Sequence, residues 1–302
     1  YAETQAEYMA SGKATEQEKL VAGCPEYAFN EYLQIGLEQG LVGLALFIGW
    51  LGLLFYKGIK NKRYACCGGL MSLAIFAFSS YPLQLPEFWV VLIFLGVMSV
   101  TPDKDEIREN QAESNGHRWG KQIFFMGIAI LGIGLFWMQK DHYKAYQQWN
   151  KAQMFYNNKA YEAALEVYEP LYPLLKHKPE FLFEAAQSLS KTGQYEKANE
   201  YLERAVLLSS DPMLYYVMAK NEQCLGEYRQ AEKHLLHAID ILPERIYPYY
   251  LLMNLYTEPS YFQPAKLKMA IDSVLTKKPK VESSAIKEMK EKARSMLNNT
   301  SI

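Results

Sequence analysis

The chain has 302 residues with 32 Lys and Arg against 33 Asp and Glu. That balance excludes a broadly basic nucleic-acid binder, and the length suggests about two domains. Aromatic residues make up 14%, 23 of them Tyr, which excludes a disordered chain.

Residues 1 to 35 carry Lys13 and Lys19 against six glutamates and open with neither a Met nor a basic, then apolar leader. They are expected to be the end of a large loop outside a membrane, within a fragment of a longer chain that has further spans upstream. From Pro25 to Leu44 the chain forms an expected two-faced helix. Asn30, Glu31, Gln34 and Glu38 share about 100° of arc, while Phe29, Leu33 and Leu37 lie opposite. Gly36 and Gly40, four apart, are spaced for the close approach of a second helix.

Uncharged runs then cover Gln39 to Tyr56, Tyr64 to Pro86, Phe88 to Pro102 and Gln122 to Gln139. A hydrocarbon core of ~30 Å takes roughly 17 to 25 helical residues, so the first and last runs are one span each. The stretch from Tyr64 to Pro102 is too long for one span. Its break falls at Tyr81-Pro82-Leu83-Gln84-Leu85-Pro86, where each proline removes a donor and discourages helix in the residue before it. Four spans over 36–139 result. Retaining Lys57, Lys60, Lys62 and Arg63 in the cytoplasm puts residues 1–35, the Pro82/Pro86 turn and everything after Lys140 outside. In a bacterium that side is the periplasm, and the membrane is the inner one, crossed several times. Glu87 sits at the outer interface, where a boundary role competes with a functional one. Cys66 and Cys67 lie in a span and Cys24 and Cys224 are far apart in sequence, so no disulfide framework is expected.

From Trp149 the pattern turns helical, with a period of 33 to 34 residues. Tyr161, Tyr195 and Tyr228 keep it, as do Ala164, Ala198 and Ala231, and Leu171, Ala205 and Ala238. Gly193 and Gly226 each precede their tyrosine by two. Gly193-Gln194-Tyr195-Glu196-Lys197-Ala198 and Gly226-Glu227-Tyr228-Arg229-Gln230-Ala231 resemble the turn and second-helix start of tetratricopeptide (TPR) repeats, with Pro243 closing its unit. Each unit is then a helix hairpin that buries its apolar face on its neighbours. A fourth unit is degraded, because Pro264 stands where alanine is expected. The amphipathic stretch from Ser283 to Leu297 suits a polar-faced cap. The whole chain is expected to be all-α, with four transmembrane helices followed by a TPR-type α-solenoid over 140–302 that lies in the periplasm and binds a partner.

Asn30-Glu31-Tyr32-Leu33-Gln34, followed by Glu38-Gln39-Gly40-Leu41-Val42-Gly43-Leu44, resembles the end of the large periplasmic loop of the O-antigen ligase family, and the Tyr81-Pro82 turn is similar to that family too. The resemblance covers roughly residues 20 to 100. It implies a membrane glycosyltransferase that moves glycan from undecaprenyl pyrophosphate to an acceptor in surface-polysaccharide assembly, and some members of the family carry C-terminal TPR repeats. Under that reading Asn30 and Glu31 are the catalytic candidates and Gln34 and Glu38 bind substrate, at the membrane lipid surface. The family's His before the Asn is Phe29 here, which cannot take a proton, and residues 1–35 hold no arginine for a pyrophosphate. Glu31 is the remaining candidate base. The competing reading of Asn30 and Glu31 is a solvated helix face entering the bilayer. No cofactor or metal is expected: His234 and His237 stand three apart on a repeat helix without a further ligand in view. The alternative function is a non-catalytic, membrane-anchored TPR scaffold for envelope polysaccharide assembly, with a protein partner or acceptor in the repeat groove and no nucleic acid.

Overall fold

The structure is a computed structural model that describes residues 2–25, 27–101, 126–127, 130, 132, 134, 137, 139–279 and 281–299. Among these, all regular elements are helical. The chain divides into two compact units, one of Tyr1–Cys24 with Trp137–Ile302 and the other of Pro25–Phe136.

The second unit begins with α3, Glu31–Lys60, followed by α4, Tyr64–Ser79, a single 3₁₀ turn at Pro82–Gln84, and α5, Pro86–Val100. Gly40 interrupts α3 with φ 72° and ψ −179°. A side chain there is strained, so this glycine serves a backbone break. The close helix approach expected at Gly36 and Gly40 is not found: a Cβ at Gly40 would meet nothing within 4 Å, and one at Gly36 only Leu44 of the same helix. Beyond the break, residues 41–60 span about 30 Å at ~1.5 Å per residue.

Of the four expected transmembrane helices, only α3 is long and apolar enough to cross a bilayer among the described residues. The helices α4 and α5 have 16 and 15 residues, because Ser80 leaves helical geometry ahead of Tyr81-Pro82 and Thr101 closes α5 in extended backbone. The fourth expected span, over 122–139, lies mostly outside the described residues. The three helices bury a small core of Leu54, Leu70, Leu73 and Leu92. Close packing comes from small residues: a Cβ on Gly69 would lie 3.0 Å from Leu95, and one on Gly96 3.3 Å from Leu54.

The first unit is a TPR-type solenoid of helix hairpins. Its helices are α6, Lys140–Asn157; α7, Tyr161–Leu175; α8, Pro179–Lys191; α9, Tyr195–Val206; α10, Met213–Leu225; α11, Tyr228–Ile241; α12, Ile246–Leu255; α13, Pro264–Thr276; and α14, Ser284–Asn299. Consecutive helices pack on one another. The periodic alanines are where helices meet: Ala164, Ala198, Ala231, Ala205 and Ala238 are all 0% exposed. Gly193 and Gly226 turn the hairpins with φ of 81° and 79°. In the fourth hairpin, Pro264 heads α13, so this helix starts three residues later in the repeat register than its counterparts, and Tyr261 falls in a 3₁₀ turn, Pro259–Tyr261. The terminal helix α14 adds Ala293, Ile286 and Met296 to the core of the last hairpins.

Two helices from the start of the chain belong to this same unit. They are α1, Ala2–Ala10, and α2, Glu16–Val21, the latter begun by a capping box between Thr15 and Glu18. The small faces of Ala2 and Ala6 lie on Ile241 and Leu242 at the end of α11. Gln5 Nε2 donates to the Ile241 carbonyl at 2.7 Å and to Gly23 at 3.2 Å. It thereby satisfies a carbonyl that the end of α11 leaves without an intrahelical partner.

Candidate functional site

In the second unit the sequence-predicted residues gather at the start of α3. Asn30 is its N-cap: the Leu33 N–H donates to Asn30 Oδ1 at 3.0 Å. Its amide Nδ2 donates to the Phe78 carbonyl at the end of α4, at 2.9 Å. Glu31 is 1% exposed, and its carboxylate accepts the Leu83 N–H at 2.7 Å, so it pins the turn between α4 and α5. Trp89 Nε1 donates to the Leu83 carbonyl at 2.6 Å, which fixes the other side of the same residue. Gln34 accepts the Ala28 N–H at 2.8 Å and donates to Glu38.

Phe29 packs edge-on against Tyr81, with ring centroids 5.3 Å apart, and Tyr27 stacks on the same ring at 6.0 Å. The segment is therefore a joint between the α3 start and the Tyr81–Pro86 turn. Its polar groups spend their bonds within the chain, and the Glu31 carboxylate is closed to solvent. Glu87 lies in the first turn of α5, where a carboxylate complements the helix dipole.

In the solenoid, carboxylates collect hydroxyl and amide donors across hairpins. Glu184 on α8 accepts Trp149 Nε1 at 2.7 Å, Gln153 Nε2 at 2.8 Å and the Tyr168 hydroxyl at 3.0 Å. Glu232 on α11 accepts the Tyr256 and Tyr261 hydroxyls, both at 2.6 Å, and Lys266 Nζ at 2.7 Å. The Tyr168 hydroxyl is held above its ordinary pKa by burial and then by Glu184. Tyr201 is pushed up to about 12 by burial and the neighbouring Tyr172. These tyrosines are neutral packing and bonding groups, and none is activated for chemistry.

The sequence pairing of His234 and His237 resolves into two separate contacts. His234 Nδ1 lies 2.9 Å from the buried Glu222 carboxylate, and His237 Nε2 lies 3.2 Å from Glu3 on α1. The Tyr215 ring sits between them, 4.8 Å from His237, and its hydroxyl donates to Glu3 at 3.3 Å. Among the described residues no group of three or more metal-ligating side chains is assembled. An open cleft of about 630 Å³ lies on this face, between Glu3, Tyr215, Arg229 and Lys266.

A further surface feature is a lysine–tyrosine strip on α10, α12 and α14. Lys220 Nζ is 5.2 Å from the Tyr247 ring and donates to its hydroxyl at 2.6 Å, while Lys292 Nζ lies 5.3 Å from the Tyr250 ring. Sequence reasoning missed it. Its members are 27 or more positions apart except for Tyr247 and Tyr250, and only the folded repeat brings them together.

Comparison with known proteins bears on the solenoid alone. Residues 157–238 match the family model for the anaphase-promoting complex, cyclosome, subunit 3. A search of curated proteins finds no significant match. Among solved structures, MamA from Desulfovibrio magneticus RS-1 aligns at 17% identity over 49% of this chain and 76% of its own, with a TM-score of 0.39. The Yersinia enterocolitica type III secretion chaperone SycD, in complex with a peptide of the translocator YopD, aligns at 16% identity over 50% of this chain and 92% of its own, with a TM-score of 0.31. A kinesin light chain-type protein of Podosopora anserina with nearly identical TPR-like repeats aligns at 17% identity over 52% and 88%, with a TM-score of 0.40.

Proposed function

We propose that this protein is a membrane-anchored scaffold whose TPR-type solenoid docks a protein partner. The observation that carries this reading is the division of labour between the two units. The solenoid has a tightly packed core and a surface built from successive helices, the architecture with which repeat arrays bind other proteins. The other unit has a small core and large exposed apolar side chains on every helix, among them Leu46, Leu53, Ile75, Phe78, Val90, Ile93 and Phe94. Apolar surface of that extent is suited to lipid.

Anchoring through four crossings, in a bacterial inner membrane with the solenoid in the periplasm, is part of the proposal. An even number of crossings is supported by the way the chain folds. Residues 2–24 precede the apolar unit and residues 139–299 follow it, yet the two segments form one packed body. Both must lie on the same side of a bilayer.

The transferase reading rests on the sequence resemblance of residues 20 to 100. Against a catalytic Glu31 stands its burial under Leu83, since a general base must reach the hydroxyl proton that it removes. The two readings separate in one experiment on the full chain purified from native membranes. The scaffold reading expects a protein partner retained in near-stoichiometric yield, and equally retained by Asn30→Ala and Glu31→Gln. A partner-free chain, with transfer of lipid-linked glycan that depends on Asn30 and Glu31, overturns it.

A further inference from the structure

The lysines that meet tyrosine rings between α10 and α14 divide into two kinds, and the difference points to the partner's chemistry. Four of them lie against tyrosine rings. Lys266 is 5.7 Å from the Tyr256 ring and Lys277 is 5.1 Å from the Tyr249 ring. Each is neutralised by a glutamate at 2.7 Å, Glu232 for Lys266 and Glu244 for Lys277. The other two, Lys220 and Lys292, have no carboxylate within ion-pair distance among the described residues.

These two uncompensated ammonium groups flank one aromatic surface. Lys220 reaches across from α10 to the Tyr247 hydroxyl. Tyr247 and Tyr250 lie a turn apart on α12, with ring centroids 6.5 Å apart and planes within 19°. Tyr216 supports Tyr247 edge-on at 5.2 Å. On the far side, Lys292 on α14 is fixed by Asn254 Oδ1 at 2.9 Å. The lysines are exposed and the tyrosines half-buried. A lysine side chain loses considerable rotamer freedom when it is held in one place, and a ring face compensates a cation less than a carboxylate does. Both charges are thus positioned, at the two ends of an aromatic platform, with their strongest type of partner still lacking.

We propose that the strip Lys220–Tyr247–Tyr250–Lys292 docks an acidic peptide segment of the partner protein, with a carboxylate at each lysine and the chain between them on the two tyrosine rings. This rests on the scaffold reading and names the chemistry that the scaffold selects.

The test is fluorescence anisotropy of the full chain in neutral detergent, with short labelled peptides of alternating glutamate and glycine, or of glutamine and glycine. The glutamate peptide is expected to bind, more weakly as salt rises, and the glutamine peptide is not. Lys220→Gln and Lys292→Gln each weaken binding by about tenfold, the loss of one charge-assisted contact. Lys266→Gln and Lys277→Gln leave it unchanged, although they remove lysines from the same hairpins. Equal binding of the two peptides, or full affinity in the Lys220→Gln/Lys292→Gln chain, overturns the assignment. Binding that moves to anionic vesicles at the expense of peptide overturns it in favour of lipid. If the double variant retains the native partner at wild-type yield, the strip is wrong and the scaffold reading stands; if the wild-type chain retains no partner, the scaffold reading itself has failed.

Discussion

Glu232 shows what a tyrosine-rich repeat gains from its carboxylates. Burial disfavours its ionised form, but the bonds from Lys266, Tyr256 and Tyr261 outweigh burial and hold its pKa below the ordinary glutamate value. A carboxyl with a lowered pKa in the folded state stabilises fully above its unfolded value of about 4.3, and that contribution is lost as pH falls through the folded value. Glu232→Ala should therefore reduce the unfolding free energy of the full chain by about 2 kcal/mol at neutral pH, through the two tyrosine hydroxyls left without their acceptor and the lost ion pair to Lys266. Denaturant titrations should show the gap between variant and wild type narrowing in acid below the unfolded pKa. A gap of constant size across that range would contradict the account. The tyrosines were legible in the sequence as packing residues. Their hydroxyl bonds were not, because Glu232 lies 24 and 29 residues from its two tyrosine partners with no periodic signal linking them. Asn30 carried a local signal, a capping residue ahead of an apolar helix. Its second bond, to Phe78, is 48 residues away and had none.

At the scale of elements, the period of Tyr, Ala and Gly located the hairpins, since a repeat must place the same small residue wherever its helices cross. The first turn keeps the register but lacks its glycine. Lys159 adopts φ 61° at the register position of Gly193 and Gly226. A left-handed conformation costs a non-glycine residue roughly 1–2 kcal/mol, and the extra freedom of an unfolded glycine returns part of that. Lys159→Gly should stabilise the full chain by about 0.5–1 kcal/mol, seen as a higher thermal midpoint, and loss of stability would show that the lysine side chain does more than occupy the turn. Two elements escaped sequence reasoning for physical reasons. The break in α3 depends on one glycine, Gly40, whose spacing from Gly36 reads as a helix contact as readily as a break. The docking of α1 uses two alanines and a glutamine, Ala2, Ala6 and Gln5, against a helix end more than 230 residues away. Small residues in an acidic stretch carry no hydrophobic pattern.

For the whole molecule, a mean hydropathy of −0.19 averages two units of opposite character. The segments that precede and follow the apolar unit, residues 2–24 and 139–299, pack into one helical body. Length, composition and period revealed the two characters, whereas the membership of residues 2–24 required long-range contacts. The central claim is that the solenoid docks a protein partner, on the face of α10 and α12 that holds Tyr247 and Tyr250. It is tested most directly by site-specific photo-cross-linking of the full chain in native membranes, from position 217 on α10 and, as the control, from position 203 on α9. Position 217 shares the repeat register of Tyr250. The account predicts a discrete protein adduct from position 217 and none from position 203. No adduct from either position, or equal adducts from both, would contradict it.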